Sequence, residues 1–145
     1  MSERDKATWE DLAEVYKSLG NEARLAVILQ LDEGESVSQL TDELGMTRSG
    51  LQKNIERLID AGLVYRPTDS DQTYELTVLG EFFVNEVREE KQHVDQVLED
   101  FQDRLAELEE EEEETLQRME DAGVDTKELE NKLRAEAWEE LQDQR

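Results

Sequence analysis

The stretch LTDELGMTRSGLQKNIERLIDAGLVYR, Leu40–Arg66, decides how the chain is read. Thr47 suits a helix N-cap, and Leu51, Ile55 and Leu58, with Ile59 beside them, follow at helical spacing. Gly62 is placed to stop that helix. Upstream, Val37, Leu40, Thr41 and Leu44 fall on one side of a shorter helix, and Gly45 and Met46 turn the chain between the two. The charge of the stretch is also unusual. The chain carries 40 acidic side chains against 16 basic ones, yet between Leu44 and Arg66 the basic Arg48, Lys53, Arg57 and Arg66 outnumber Glu56 and Asp60.

Outward from this stretch, Thr8 opens a first helix in a capping-box pattern with Asp11, and Leu12, Val15, Tyr16 and Leu19 recur until Gly20. Asn21 caps a second helix, EARLAVILQLDE, which Gly34 ends. After Gly62 the period changes to alternation. LVYRPTDSDQTYELT predicts two short strands around a polar turn, with Pro67 at an edge or in the turn. From Leu79 the pattern is helical again. Val94, Leu98, Phe101, Leu105 and Leu108 form an a/d seam, which Lys91 interrupts on its way back to Val87. Glu109–Glu114 remove the seam, and Leu116 and Met119 resume it one residue out of register. Gly123 breaks the helix, with Val124 as the expected apolar contact of its cap. Asp125 and Glu128 then give a capping-box-like start to a last helix lined by Leu129, Leu133, Ala137 and Leu141, with Trp138 beside them. The fold class expected is mostly α with a small β-hairpin (α+β). A compact domain spans 8–80 and an acidic, coiled-coil-like helical arm spans 81–145. Residues 1–80 carry 8 basic and 16 acidic side chains, and residues 81–145 carry 8 and 24.

Composition narrows the function. The 145-residue chain has no cysteine, which excludes disulfides, thiolate metal sites and thiol redox sensing. No apolar run approaches the ~20 residues that span a bilayer, and MSERDKATWEDL is too charged for a signal peptide. A cytoplasmic protein without a membrane partner is expected. The net charge of −24 fits a saline cytoplasm, since the carboxylates are scattered along the whole chain; a protein that mimics nucleic acid or binds a basic partner is the competing reading. No nucleophile–base pair, Gly-rich phosphate loop or metal-ligand spacing is present, so no enzyme, cofactor or metal is expected. The glutamate run reads as a solvated helical face, and the lone His93 as a surface residue.

Helix, helix, short helix, turn, helix and hairpin is the element order of a winged helix-turn-helix. The short helix braces the next one, whose N-terminal end can enter a major groove. With Leu51, Ile55 and Leu58 turned inward, the other face offers Arg48, Ser49, Gln52 and Lys53. These types suit base edges and phosphates: Arg or Lys to guanine, Gln to adenine, Ser to either. Thr47 heads the same face, and the wing offers Arg66, Thr68, Gln72 and Thr73. Taken alone, Arg48 and Lys53 are ordinary solvated residues; the motif order is what points them at DNA. Arg57 reads as a surface ion-pair partner as readily as a DNA contact.

The run YKSLGNEARLAVILQL…SVSQLTDELGMTRSGLQKNIERLIDAGLVYR resembles the ArsR-type winged-helix transcriptional regulators. The matches are Leu19, Gly20, Asn21, Arg24 and Leu29, then Ser38, Leu40, Leu44, Gly45, Thr47, Leu51, Ile55, Leu58, Ala61, Gly62, Leu63 and Val64. The resemblance covers about residues 12–87. It implies a sequence-specific, double-stranded-DNA-binding regulator acting as a homodimer, here with a halophilic archaeon as the expected source. The family's usual contact positions correspond to Arg48, Ser49, Gln52 and Lys53. Cysteine-based metal sensing, used by many members, is excluded.

The a/d seam needs a partner helix. Val94, Leu98, Phe101, Leu105 and Leu108 either pair with a second copy or receive the last helix as an antiparallel hairpin, and both can hold. Trp9 and Tyr16 of the first helix are expected at the same dimer interface. The alternative function is a protein-interaction module built on a winged helix and an acidic arm. No effector pocket is evident from the sequence.

Overall fold

A computed structural model of the protein describes residues 7–67 and 73–144. The chain divides into two compact units, Met1–Arg88 and Glu89–Arg145.

The first unit contains α1 (Trp9–Leu19), α2 (Glu22–Asp32), α3 (Val37–Leu44), α4 (Arg48–Asp60), β1 (Val64–Tyr65), β2 (Glu75–Leu76) and the start of α5 (Val78–Glu111). Local chemistry sets the boundaries. Thr8 and Asp11 form the reciprocal capping box, and Asn21 accepts from the Arg24 amide at 3.0 Å. Ser36 and Gln39 make a second capping box that starts α3. Two orphan amide donors are satisfied at each box. At the other ends glycines take positive φ: Gly34, Gly45 and Gly62. After α4 the Gly62 amide donates to the Ile59 carbonyl and the Leu63 amide to that of Leu58, which is the Schellman pattern.

The core of this unit gathers Val27, Ile28 and Leu31 of α2, Val37 and Leu40 of α3, and Leu51, Ile55 and Leu58 of α4, together with Leu63, Val64, Phe83 and Val84. The strands are two residues each and antiparallel, pairing Val64 with Leu76 and Tyr65 with Glu75. Three bonds fix where α5 begins. The Thr77 amide donates to the Leu63 carbonyl, the Thr77 hydroxyl to the Gly62 carbonyl, and the Gly80 amide to the Thr77 hydroxyl oxygen. Gly80 is required by this approach, because a Cβ there would lie 2.1 Å from the Leu63 carbonyl oxygen. Arg88 reaches Asp32 and Glu33 at 3.2 Å each, joining α5 to the end of α2.

In the second unit α5 continues to Glu111, followed by α6 (Glu113–Asp121) and α7 (Lys127–Asp143). The glutamate run contains a one-residue helix break at Glu112, with φ −103° and ψ 14°, and Leu116 and Met119, expected to resume the seam, do not join the buried cluster. The i→i−4 bonds that flank the break run from the Glu112 amide to the Leu108 carbonyl and from the Leu116 amide to the Glu112 carbonyl. Gly123, at φ 71°, closes α6 with a Schellman pair, but Val124 is exposed rather than packed. The expected Asp125–Glu128 capping box does not form. The helix starts one residue later, the Asp125 carboxylate accepts from the Lys127 amide, and the Thr126 hydroxyl donates to Glu130.

Of the two partners open to the a/d seam, the last helix occupies part of it within the chain. Phe101, Leu105 and Leu108 are buried against Leu133 and Ala137, with Leu129 and Leu141 at the edge. The Phe101 and Trp138 rings stack at 4.0 Å. Burying such a side chain is worth roughly 1.5–3 kcal/mol, so the apolar cluster dominates this unit. Arg104 adds orientation by donating to both Glu140 and Glu107. Leu98 and Val94, about one and two turns before Phe101, remain exposed.

Replacing Gly80 by Ala is expected to destabilise the chain by at least about 2 kcal/mol, because the clash is with backbone. A lower urea midpoint with an unchanged m-value checks it. A second prediction concerns pH. The hydrogen bond from Arg104 holds the Glu140 carboxyl below its ordinary value of 4.5. A depressed folded pKa gives stability that is present above 4.5 and lost as pH falls through the lower folded value. Wild type should therefore exceed Glu140→Gln in stability at pH 7, and the gap should close on acidification below 4.5, read by Trp138 fluorescence in urea titrations with Trp9→Phe as the common background.

Candidate nucleic-acid interface

The Thr47 hydroxyl oxygen accepts from the Gly50 amide at 3.0 Å and starts α4. This threonine is therefore a cap first, although it is exposed at the head of the face. Leu51, Ile55 and Leu58 are each 0% exposed. At about 100° per residue, that burial sends Ser49 and Lys53 to the opposite side and leaves Gln52 on the flank. Arg48, Ser49 and Lys53 are exposed and Gln52 is half-buried. No acidic residue stands in the first turn of α4, whereas α1, α2, α5, α6 and α7 each have one or more. The positive end of the helix dipole is left for an external anion. Among the described residues no carboxylate lies within ion-pair distance of Arg48 or Lys53.

Gly50 fits closely, since a Cβ would lie 3.1 Å from the Thr47 hydroxyl oxygen. The Asn54 side chain donates to the Gly50 carbonyl, bracing the first turn. At the flanks of the wing, Arg66 and Thr73 are exposed, and Thr68 and Gln72 lie outside the described residues. The Tyr65 hydroxyl donates to Glu75 across the strands at 2.9 Å, and that carboxylate pushes the phenol pKa up. Sequence reasoning missed Tyr74, which is 7% exposed with its hydroxyl 3.4 Å from the Gln52 amide nitrogen. No local pattern marks that contact, because the partners are 22 positions apart.

Arg57 lies one turn beyond Lys53 on the same side of α4, in the helix's last turn. It lines a cavity of about 530 Å³ with Asp60, Arg24, Lys17, Asp11 and Glu14, and is in no ion pair among the described residues. Arg24, one of the family-matching residues, serves the fold. Its Nε donates to the Ser18 carbonyl at 2.7 Å and closes the α1–α2 turn. The residues expected at a dimer interface divide. Trp9, Tyr16, Val94 and Leu98 are exposed at 87, 51, 52 and 45%, whereas Phe101, Leu105 and Leu108 are covered within the chain. Trp9 makes no part of either buried cluster.

Residues 19–65 match the helix-turn-helix domain family. No curated protein matches the chain. Among solved structures, HlyU from Vibrio cholerae N16961 is 22% identical with a TM-score of 0.50, over 61% of this chain and 96% of that one. The homodimeric winged helix-turn-helix DNA-binding domain of Mb0332 from Mycobacterium bovis is 26% identical with a TM-score of 0.50, over 66% and 88%. MarR is 16% identical with a TM-score of 0.50, over 77% and 87%. The chain has a winged helix-turn-helix fold, and its long helix continues beyond it.

Proposed function

We propose that this protein is a sequence-specific, double-stranded-DNA-binding regulator of transcription of the ArsR-like type, acting as a homodimer in a salt-rich cytoplasm. One observation carries the reading. In a chain of net charge −24, the N-terminal half of α4 presents Arg48, Ser49 and Lys53 to solvent without a neighbouring ion pair or a first-turn acid among the described residues. A protein-interaction module would need an acidic partner to use that local reversal of sign. An acidic DNA mimic is opposed by it.

The proposed mechanism follows from the residues. The α4 N-terminus enters the major groove, Arg48 and Lys53 reach guanine edges or phosphates, and Ser49 reaches either. Arg66 and Thr73 contact the backbone or minor groove from the wing. Counterion release contributes less as salt rises, so base-edge and apolar contacts carry more of the affinity. The solved Mb0332 domain is homodimeric, and the exposed Trp9, Tyr16, Val94 and Leu98 supply apolar area for self-association here. A two-fold dimer would set two copies of α4 about 34 Å apart, one DNA turn.

The test is selection from a random duplex library in multi-molar KCl, with wild type beside Arg48→Ala/Lys53→Ala. Wild type should enrich a two-fold symmetric site, and the double variant should lose it. No enrichment by wild type at any salt concentration would overturn the reading.

A further inference from the structure

The cavity of about 530 Å³ in the first unit is lined from α1, the start of α2, the end of α4 and the start of α5. Its volume falls in the ~300–1,000 Å³ range of small-molecule sites. Three cations line it, Lys17, Arg24 and Arg57, beside three carboxylates, Asp11, Glu14 and Asp60. Among the described residues none of these six is in an ion pair. Asp11 is already spent, since its carboxylate accepts from the Thr8 amide at 2.9 Å in the α1 capping box. Glu14 and Asp60 are not. Arg24 is half-buried and held in place, because its Nε donates to the Ser18 carbonyl at 2.7 Å. An anion alone would face Glu14 and Asp60, and a cation alone would face two guanidinium groups. A ligand carrying both charges finds a partner for each.

We propose that this cavity binds a small zwitterion of the α-amino acid class. Arg24 and Arg57 take its carboxylate, which their planar forks match. Glu14 and Asp60 take its ammonium group. Val15, Ala61 and Leu79 supply apolar lining for its side chain. The ligand engages the end of α4 and none of Arg48, Ser49 or Lys53, which do not line the cavity. The proposal therefore stands apart from the DNA-binding reading above and is tested without DNA.

The experiment titrates the isotope-labelled full chain with each standard L-amino acid up to about 10 mM, a weak-binding limit, and follows the amide signals by NMR. At least one amino acid should shift Lys17, Ser18, Arg57 and Asp60 saturably. Its deaminated carboxylate analogue and its decarboxylated amine analogue should each bind about tenfold more weakly or worse, the effect of losing one charged contact. Arg57→Gln and Glu14→Gln alter exposed side chains, so both variants should keep the wild-type spectrum away from the cavity. Arg57→Gln should weaken the amino acid about tenfold and leave the amine analogue unchanged. Glu14→Gln should weaken the amino acid and leave the carboxylate analogue unchanged. No saturable shift at the cavity with any amino acid would overturn the proposal. So would a carboxylate analogue that binds as tightly as its parent, which would make the cavity a plain anion site.

Discussion

The structure depends on the burial of one stripe of α4. Leu51, Ile55 and Leu58 are completely removed from solvent against α2 and α3. Rotating α4 about its axis would expose them, at roughly 1.5–3 kcal/mol for each large apolar side chain. The helix therefore has one allowed orientation, and the exposure of Ser49 and Lys53 is a consequence of it. The same packing holds the wing. Leu63 and Val64 enter the same core, and Thr77 ties the β2 exit back to Gly62 and Leu63. The glycine at position 80 lets α5 leave at that spot.

Charge is organised around this orientation. Carboxylates occupy the first turn of most helices, where they offset the dipole. On α4 that place is empty of acids, and a threonine caps the helix without adding charge. The acids of α4, Glu56 and Asp60, come later in the helix. A polyanion approaching the N-terminal end meets amide donors and cations before it meets carboxylates. The second unit has a different logic. Its apolar cluster is narrow, Phe101 to Leu108 against Leu133 and Ala137, and nearly everything else on its helices is polar or charged and exposed.

Much of this was legible in the sequence, for a physical reason. Caps and stops are local, so Thr8, Asn21, Thr47, Gly62 and Gly123 announce themselves within four residues. The stripe of α4 and the seam of α5 are periodic, and periodicity survives without knowing the partner. Contacts through space were not legible. The seam could not say whether its cover came from the chain itself; α7 covers Phe101, Leu105 and Leu108 but leaves Val94 and Leu98. Gly80 carries no signal until Leu63, 17 positions away, is brought against it. The contact of Gln52 with Tyr74 was not legible either, because its partners lie 22 positions apart. The start of α7 slipped by one residue: Thr126 stands at the N-cap with no side-chain cap bond, and the Asp125 carboxylate accepts from the Lys127 amide.

The central claim is that the N-terminal turns of α4 are the contact surface for DNA. The most direct measurement is amide hydrogen exchange of the full chain, free and bound to a duplex carrying the selected site. The account predicts slowed exchange concentrated at Thr47–Lys53, with weaker protection at Tyr65, Arg66 and Thr73, and no change along Leu105–Leu133. Protection along the acidic helices, with none at Thr47–Lys53, would contradict it.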